Sequence, residues 1–147
     1  MTEHIVHPFE PFFRADSKIL IVGSLPFVKS RENGFYYGHP QNRFWKMLAM
    51  IFSEETPLSI EEKKCFLEKH KIAVYDSISN LVPSDIEKIV SACKIAKILA
   101  NGKTAAKYFL KYQDKNLCSM LKTLPSTSPA NAVYSVQKLV EIWGNEF

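Results

Sequence analysis

The segment GFYYGHPQNRFW, Gly34–Trp45, combines aromatic rings, turn-forming residues and neutral polar side chains in an unusual mixture. Aromatic rings can stack on a planar base, and an asparagine amide can hold a water molecule or the edge of a base. For Phe44 and Trp45 we favour the alternative, which is burial at the start of a helix. The residues to which we assign pocket chemistry are Tyr37, His39 and Asn42.

A second segment, LPSTSPANA at Leu124–Ala132, lies between a predicted strand and a predicted helix. The hydroxyls of Ser126 and Ser128, together with backbone N–H groups at a helix start, are typical of a phosphate-binding loop. The alternative is a proline–serine turn with a capping residue, which is common in proteins. Arg43 could provide a further phosphate contact.

Two glycine-containing turns follow predicted strands. GSLP, Gly23–Pro26, would let a ligand approach the backbone closely, although a simple tight turn is the alternative. NGKT, at Asn101–Thr104, lacks the first glycine of a nucleotide phosphate loop, because Lys97 occupies that position. We therefore predict a turn that opens a helix, with Asn101 facing a pocket.

The composition argues against several classes of protein. The 147 residues have a net charge of +4, a mild bias toward anionic partners that surface lysines alone could also explain. Cys65, Cys93 and Cys118 form no CxxC pair, so we expect no metal site and a cytoplasmic, reducing compartment. No apolar run approaches the roughly 20 residues of a membrane span, and we see no secretory signal pattern.

Short apolar runs predict four strands. They are KILIVG (Lys18–Gly23), KIAVYD (Lys71–Asp76), AKILAN (Ala96–Asn101) and the weaker MLKTLP (Met120–Pro125). The first three are typical of parallel strands covered on both faces. Helical patterns fill the intervals, so we predict a single α/β domain over residues 1–147, a three-layer α/β/α sandwich with a central four-stranded parallel sheet. Ligands bind such sheets at the carboxyl ends of the strands.

Capping patterns predict where helices begin. SIEE at Ser59–Glu62 and SDIE at Ser84–Glu87 each predict a capping box. A final helix is predicted over Asn131–Phe147 from its apolar spacing. The apolar face predicted for this helix consists of Val133, Val136, Leu139, Val140 and Trp143.

Four segments, which occur in order along most of the chain, resemble the uracil-DNA glycosylase superfamily. They are GSLP, SRENGFYYGHPQNRFWKML, NGKTAAKYF and LPSTSPANA. The nearest branch resembles the hypoxanthine (deoxyinosine) DNA glycosylases, with the mismatch-specific uracil/thymine glycosylases as cousins. The second and fourth segments are long enough to be specific.

The resemblance implies a four-stranded parallel sheet between helices, in agreement with the strand pattern. It implies a monofunctional DNA glycosylase of base-excision repair that hydrolyses the N-glycosidic bond of a deaminated base, hypoxanthine or uracil, without a metal or cofactor. Such an enzyme extrudes the base from DNA, clamps its edge and orients one water molecule. The implied partner is DNA that contains a damaged base, and we expect a monomer without membrane association.

The resemblance also implies a role for each matched residue. Asn42 would be the catalytic residue that orients the water, because GSLP offers no Asp or Asn for that task. Tyr37 would stack on the extruded base. The other base-pocket residues would be Gly23, Ser24, Leu25, His39 and Asn101. The residues that hold DNA phosphates or form the wedge entering the DNA would be Ser126, Ser128, Pro129 and Asn131.

Two departures from the family pattern bear on function. The branch carries a longer polar loop where Asn80 here runs almost directly into Val82, and Leu124 stands where distant members have histidine. Both positions would help to shape or clamp the base. Two alternatives therefore stay open, namely a DNA-binding member of the fold without catalysis and an α/β protein that binds a free nucleobase or nucleotide.

Overall fold

The structure, a computed structural model, describes residues 11–24, 35–76, 78–79, 82–83 and 85–147. Its strands are β1 Ile19–Gly23, β2 Ile72–Asp76, β3 Ile78–Ser79, β4 Val82–Pro83, β5 Lys97–Asn101 and β6 Leu121–Leu124. The main sheet is parallel throughout, in the order β2-β1-β5-β6, and β3 pairs with β4 as a short antiparallel hairpin. The four predicted strands are confirmed, each beginning one residue later than expected.

Helices connect and cover these strands. They are α1 Phe44–Ile51, α2 Ile60–Lys69, α3 Ile86–Ala92, α4 Lys103–Tyr112, α5 Lys115–Cys118 and α6 Val136–Gly144. Helix α1 packs against α6, and α4 packs against β5 and β6. The chain therefore alternates between strands and helices, as the sequence pattern predicted.

Both faces of the sheet are covered. Every residue of β2 is buried, and in β1 and β5 only the first residue is partly exposed. Since successive side chains of a strand point to opposite faces, helices must lie on both sides, and the predicted three-layer α/β/α sandwich is confirmed. The weaker apolar run of β6 is explained by its edge position, where Lys122 and Thr123 are exposed.

The opposite edge of the sheet is also protected. Phe12 exchanges two backbone hydrogen bonds of 3.0 Å with Val74 of β2 in an isolated antiparallel bridge. This contact satisfies backbone groups that an edge strand would otherwise leave open to another chain. The segment before β1 thus closes one side of the domain.

Side-chain caps start the helices, with one correction to the predicted pattern. The capping box of α2 is confirmed, because Ser59 accepts from the Glu62 N–H and the Glu62 side chain accepts from the Ser59 N–H. The box predicted to start at Ser84 is wrong. Helix α3 is capped by Asp85, whose carboxylate accepts from the Lys88 N–H at 3.1 Å, one position later.

The predicted start of the last helix is also wrong. Helix α6 begins at Val136, after the cap Ser135, and not at Asn131. The guanidinium of Arg43 binds the main-chain carbonyls of Asn131 and Tyr134, so these oxygens do not accept the bonds of a helix. Val133 consequently lies in a loop and is 90% exposed, although the periodicity placed it on the buried face.

Three further observations concern membrane-spanning helices, metal ligands and thiols. Among the described helices, none combines the length and the apolar character that crossing a membrane requires. Within the described ranges, no three His, Cys, Asp or Glu side chains gather into a set that could hold a metal ion. The thiols of Cys93 and Cys118 are free, and burial raises the pKa of both.

Candidate functional site

A groove of about 660 Å³ opens at the carboxyl ends of β1, β5 and β6. The chain passes from β1 to β2 on one side of the sheet and from β5 to β6 on the other side. The loops leaving β1 and β5 therefore diverge and leave a crevice between them. Its volume lies in the range of small-ligand pockets. The groove residues are Ser24, Asn101, Gly102, Lys103, Thr104, Thr123, Leu124, Pro125, Ser126, Ser128, Ala130, Asn131 and Tyr134.

A buried hydroxyl connects two of the predicted site residues. Thr127, which is 0% exposed, accepts from Asn101 Nδ2 at 3.0 Å and donates from Oγ1 to Asn42 Oδ1 at 2.8 Å. Its own backbone N–H donates to Asn101 Oδ1 at 2.9 Å. The end of β5, the loop after β6 and the segment before α1 are therefore joined through one side chain, and the orientations of both amides are fixed by it.

A tight turn presents Asn42. The Asn42 N–H donates to the His39 carbonyl at 2.9 Å, and Pro40 at the second turn position suits the backbone angle that this turn needs. Asn42 Oδ1 accepts from both the Phe44 N–H at 3.0 Å and Thr127. The carbonyl oxygen of the side chain thus faces the protein, and the amide NH₂ is the group that the residue can offer to a ligand.

Tyr37 stands beside this turn in a strained backbone conformation. Its φ is 54°, in the left-handed region that residues other than glycine rarely adopt, and its ring stacks on Phe44 with centroids 3.9 Å apart. A Cβ atom on Gly23 would lie 2.7 Å from the Tyr37 hydroxyl. Glycine at the end of β1 is therefore needed for the tyrosine to reach the strand ends.

The hydroxyl of Tyr37 is buried and makes no hydrogen bond of normal geometry with the described residues. Burial raises its pKa far above the usual value, the nearby Asn101 amide lowers that pKa in part, and the Asp76 charge raises it. The group is a neutral phenol at physiological pH. Asp76, itself buried, pairs in register with Gly23 and was not among the predicted site residues.

Arg43 holds the loop at residues 124–132, here called the serine loop, through hydrogen bonds to main-chain carbonyls in and just after it. Its guanidinium donates to the carbonyls of Ser128 at 2.8 Å, Asn131 at 3.0 Å and Tyr134, and its backbone N–H donates to the Thr127 carbonyl at 3.1 Å. Together with the bond from Nε to the Thr127 carbonyl at 3.4 Å, these bonds use four of the five N–H donors of the side chain within the protein. The structure thus gives Arg43 a role in holding the loop, and its suggested phosphate contact stays a prediction.

The serine loop holds its own form through short-range hydrogen bonds. Ser126 Oγ accepts from the Ser128 N–H at 3.0 Å, Ser128 Oγ accepts from the Ala130 N–H at 3.2 Å, and Asn131 Nδ2 donates to the Ser126 carbonyl at 3.0 Å. Both serine hydroxyls keep an O–H donor for another partner. Gly102 adopts a φ of 96° and lies against Ser126, where a Cβ would approach to 2.9 Å.

The segment Gly34–Asn42, which we propose as one wall of the base pocket, offers fewer residues to a ligand than its sequence suggests. Phe35 and Tyr36 are 5% and 2% exposed and belong to the core, where the Tyr36 carbonyl accepts from Trp45 Nε1 at 3.0 Å. The predicted burial of Phe44 and Trp45 at the start of α1 is confirmed. The proposed wall is therefore reduced to residues 37–42, which are partly or fully exposed.

The structure places only some of the predicted site residues in the groove. Those that line it are Ser24, Asn101, Ser126, Ser128 and Asn131. Leu25 lies outside the described residues, as do Gly34 and Asn80. His39 is partly exposed and accepts the Gln41 N–H at Nδ1, so it supports the turn. Pro129 is also partly exposed, within the serine loop.

Known proteins are similar to this chain over most of its length. A family model described as the uracil DNA glycosylase superfamily matches residues 10–144. The chain belongs to the uracil DNA glycosylase superfamily. The predicted resemblance and the predicted fold are thereby confirmed, and the groove lies within the matched part of the superfamily domain.

Three relatives define the similarity within the superfamily. A hypoxanthine DNA glycosylase of Methanosarcina barkeri is 36% identical over 69 residues, which is 46% of this chain and 44% of that protein. A hypoxanthine DNA glycosylase of Methanosarcina acetivorans is 29% identical over 135 residues, 82% of this chain and 84% of that protein. A solution NMR structure from Methanosarcina acetivorans, of a protein provisionally named a uracil DNA glycosylase, matches with a TM-score of 0.78 and 26% identity over 93% of this chain and 92% of that one.

Substitution of Thr127 tests the bridge between the two amides. We expect Thr127→Val, which preserves shape, to lower the free energy of unfolding by about 1–3 kcal/mol, because it leaves the buried Asn101 donor without a partner. Thr127→Ser keeps the hydroxyl and should lose clearly less. Denaturant unfolding measures both, and equal stability of the valine variant and the wild type would contradict the role of the bridge.

Substitution at Gly23 tests the placement of the Tyr37 hydroxyl. We expect Gly23→Ala to destabilise the domain through the contact with that hydroxyl, and Tyr37→Phe to stabilise it by about 1 kcal/mol because an unsatisfied buried hydroxyl is removed. The double variant should recover much of the loss, with a coupling energy of at least about 0.5 kcal/mol. Additive effects in thermal or denaturant unfolding would show that the two groups do not touch.

Proposed function

We propose that this protein is a monofunctional DNA glycosylase that releases a deaminated base, hypoxanthine or uracil, by hydrolysis of the N-glycosidic bond. The observation that carries the proposal is the pair of amides, Asn42 and Asn101, held by one buried threonine beside a groove at the strand ends. The names of the two hypoxanthine DNA glycosylases that it resembles support the same activity.

The site suits a neutral, polar base edge. A deaminated base presents a ring N–H donor next to a carbonyl acceptor, and an amide side chain is complementary to both. Asn101, at the end of β5, has a second amide proton and a second lone pair beyond its bonds to Thr127. The partly exposed ring of Tyr37, packed on Phe44, provides an aromatic surface for stacking.

The proposed chemistry asks little of charged catalysts. Deaminated bases are fair leaving groups, and the sugar that becomes cationic is stabilised by the phosphates of the DNA itself. Asn42 would donate an amide N–H to one water molecule, which keeps a lone pair for attack on the sugar carbon. Water is thus positioned without being deprotonated in advance. This arrangement favours bases that leave easily.

The remaining loop residues would hold the DNA. The O–H donors of Ser126 and Ser128 and the N-terminus of α4 with Lys103 face one groove, a combination suited to phosphate. Val133, which is 90% exposed beside the proposed wedge Pro129–Asn131, is an apolar side chain that could enter the base stack. We include it in the wedge.

We propose that the enzyme is cytoplasmic and monomeric. All three cysteines are free thiols, which suits a reducing compartment such as the cytoplasm.

One observation favours a second candidate, a DNA-binding protein without catalysis. Asn42 Oδ1 is already used by Phe44 and Thr127, so the side chain has no free carbonyl oxygen to accept a proton from water in the arrangement observed. Such a protein would bind DNA in a salt-dependent manner and release no base.

A lesion panel with Asn42 variants separates these functions. We expect the wild type to release hypoxanthine or uracil from oligonucleotides, detected by alkaline cleavage of the abasic strand, and Asn42→Ala to be slower by about 100-fold because the water is no longer positioned. Asn42→Asp keeps an acceptor for Thr127, so it serves as the control for loss of that hydrogen bond. Equal rates for wild type and the alanine variant would refute the role of Asn42, and binding without release of any base would favour the second candidate.

The proposed wedge predicts a difference between duplex and single-stranded substrate. We expect Val133→Ser to slow base release from duplex DNA by about tenfold, or roughly 1.4 kcal/mol, because extrusion from the stack loses its apolar support. Release from single-stranded DNA should be unchanged. Leu58→Ser, at another exposed apolar residue that is 79% exposed, is the matched control. An equal loss on both substrates would assign Val133 a different role.

A further inference from the structure

Positive charge is concentrated in one part of the chain. Residues 88–140 contain nine lysines and a single acidic residue, Asp114, although the net charge of the whole protein is only +4. The remainder of the sequence has more acidic than basic residues. The mild overall charge therefore conceals a strongly basic segment, and a cluster of lysines on one surface is the usual footprint of a polyanionic partner.

Within this segment, α4 carries three lysines on one face, which we call the lysine stripe. Lys103, Lys107 and Lys111 follow at intervals of four residues and are all exposed, and α4 contains no acidic residue. Side chains four residues apart lie on the same side of a helix. The lysine face is turned away from the residues that pack on the sheet, which are Ala105, Ala106 and Phe109.

The charges of this stripe are not neutralised within the described residues. None of the three lysines makes an ion pair there, whereas Lys97 and Lys122 both bind Glu146, at 3.4 Å and 2.5 Å. Two of the stripe lysines lie over aromatic rings instead. The ammonium of Lys107 is 5.6 Å from the centroid of Tyr108, and that of Lys111 is 5.2 Å from the centroid of Tyr112. A ring holds a cation in place without cancelling its charge.

The stripe continues directly from the groove. Lys103 lines the groove, and a rise of 1.5 Å per residue places successive lysine Cα atoms about 6 Å apart and the last about 12 Å from the first. The Cα–Cβ bonds of Lys107 and Lys111 tilt toward the N-terminus of α4, which is the end of the helix that lies at the groove. A strand leaving the groove on this side would meet them in order.

We propose that Lys107 and Lys111 bind phosphates of the DNA strand that flanks the groove, and so extend the bound region beyond the serine loop. The proposal rests on the proposed function only in taking DNA as the partner. It does not require that a base be released, because the contacts are to the backbone and carry no sequence or lesion information.

The salt dependence of DNA binding tests the stripe. The measurement is fluorescence anisotropy on a labelled, undamaged duplex over a range of NaCl concentrations, with wild type and a K107Q/K111Q variant. Each phosphate contact contributes about 0.9 to the slope of log K against log salt, so the double variant should lose about 1.8. Glutamine keeps helix propensity, and an unchanged melting temperature checks that the fold is retained.

The matched control is K63Q/K64Q on α2. Lys63 and Lys64 also lie over aromatic rings, those of Trp45 and Phe35 at 5.5 Å and 5.7 Å, so the same number of charges and of ring contacts is removed. We expect the slope of this variant to equal that of the wild type. An equal fall in both variants would show a general charge effect and would overturn the proposal, as would an unchanged slope in K107Q/K111Q.

Two further outcomes separate this inference from the proposed function. A fall in slope together with no base release on the lesion panel supports the stripe and refutes the glycosylase. Base release with an unchanged slope refutes the stripe alone. Binding to vesicles of anionic phospholipid that K107Q/K111Q loses, without a change in DNA binding, would assign the lysines to a membrane surface and overturn the proposal.

Discussion

The hydroxyl of Thr127 is the contact on which the candidate site depends. It lies between two amides that are 26 and 85 residues away in the sequence, and the threonine is fully buried. A buried amide without partners is costly, so Asn101 requires Thr127, and the buried Thr127 hydroxyl in turn requires the Asn42 oxygen as its acceptor. This requirement brings the end of β5, the loop after β6 and the segment before α1 to one place at the carboxyl edge of the sheet.

The loop that contains Thr127 has no regular structure of its own, and Arg43 holds it. A guanidinium has five donors in a rigid planar arrangement, which suits several carbonyls that point to one centre. The indole of Trp143, on α6, donates to the Pro125 carbonyl at 2.9 Å and holds the other end of the loop. Because these donors serve the loop, the DNA phosphates of the proposed function would be bound mainly by hydroxyls, lysines and backbone N–H groups.

Neutral polar groups and positive charges occupy different parts of the domain. The amides and the phenol near the strand ends are neutral, and the burial that raises the pKa of Tyr37 keeps it so. The lysine stripe lies outside, on the exposed face of α4. A neutral pocket discriminates a base by its hydrogen-bonding edge, whereas an outer positive face attracts the polyanion without regard to sequence.

The strands, the layers and the superfamily could be predicted from the amino-acid sequence alone. They depend on local patterns, namely apolar runs of strand length, capping residues such as Ser59 and four ordered motifs. Such patterns can be recognised without knowing which distant residues are in contact. Three features became apparent only in the tertiary structure, namely that Arg43 holds a loop, that Val133 is exposed and that the oxygen of Asn42 faces inward. Each of these is set by a partner far along the chain, because a side chain's donors and acceptors are assigned by whichever groups the fold places beside it.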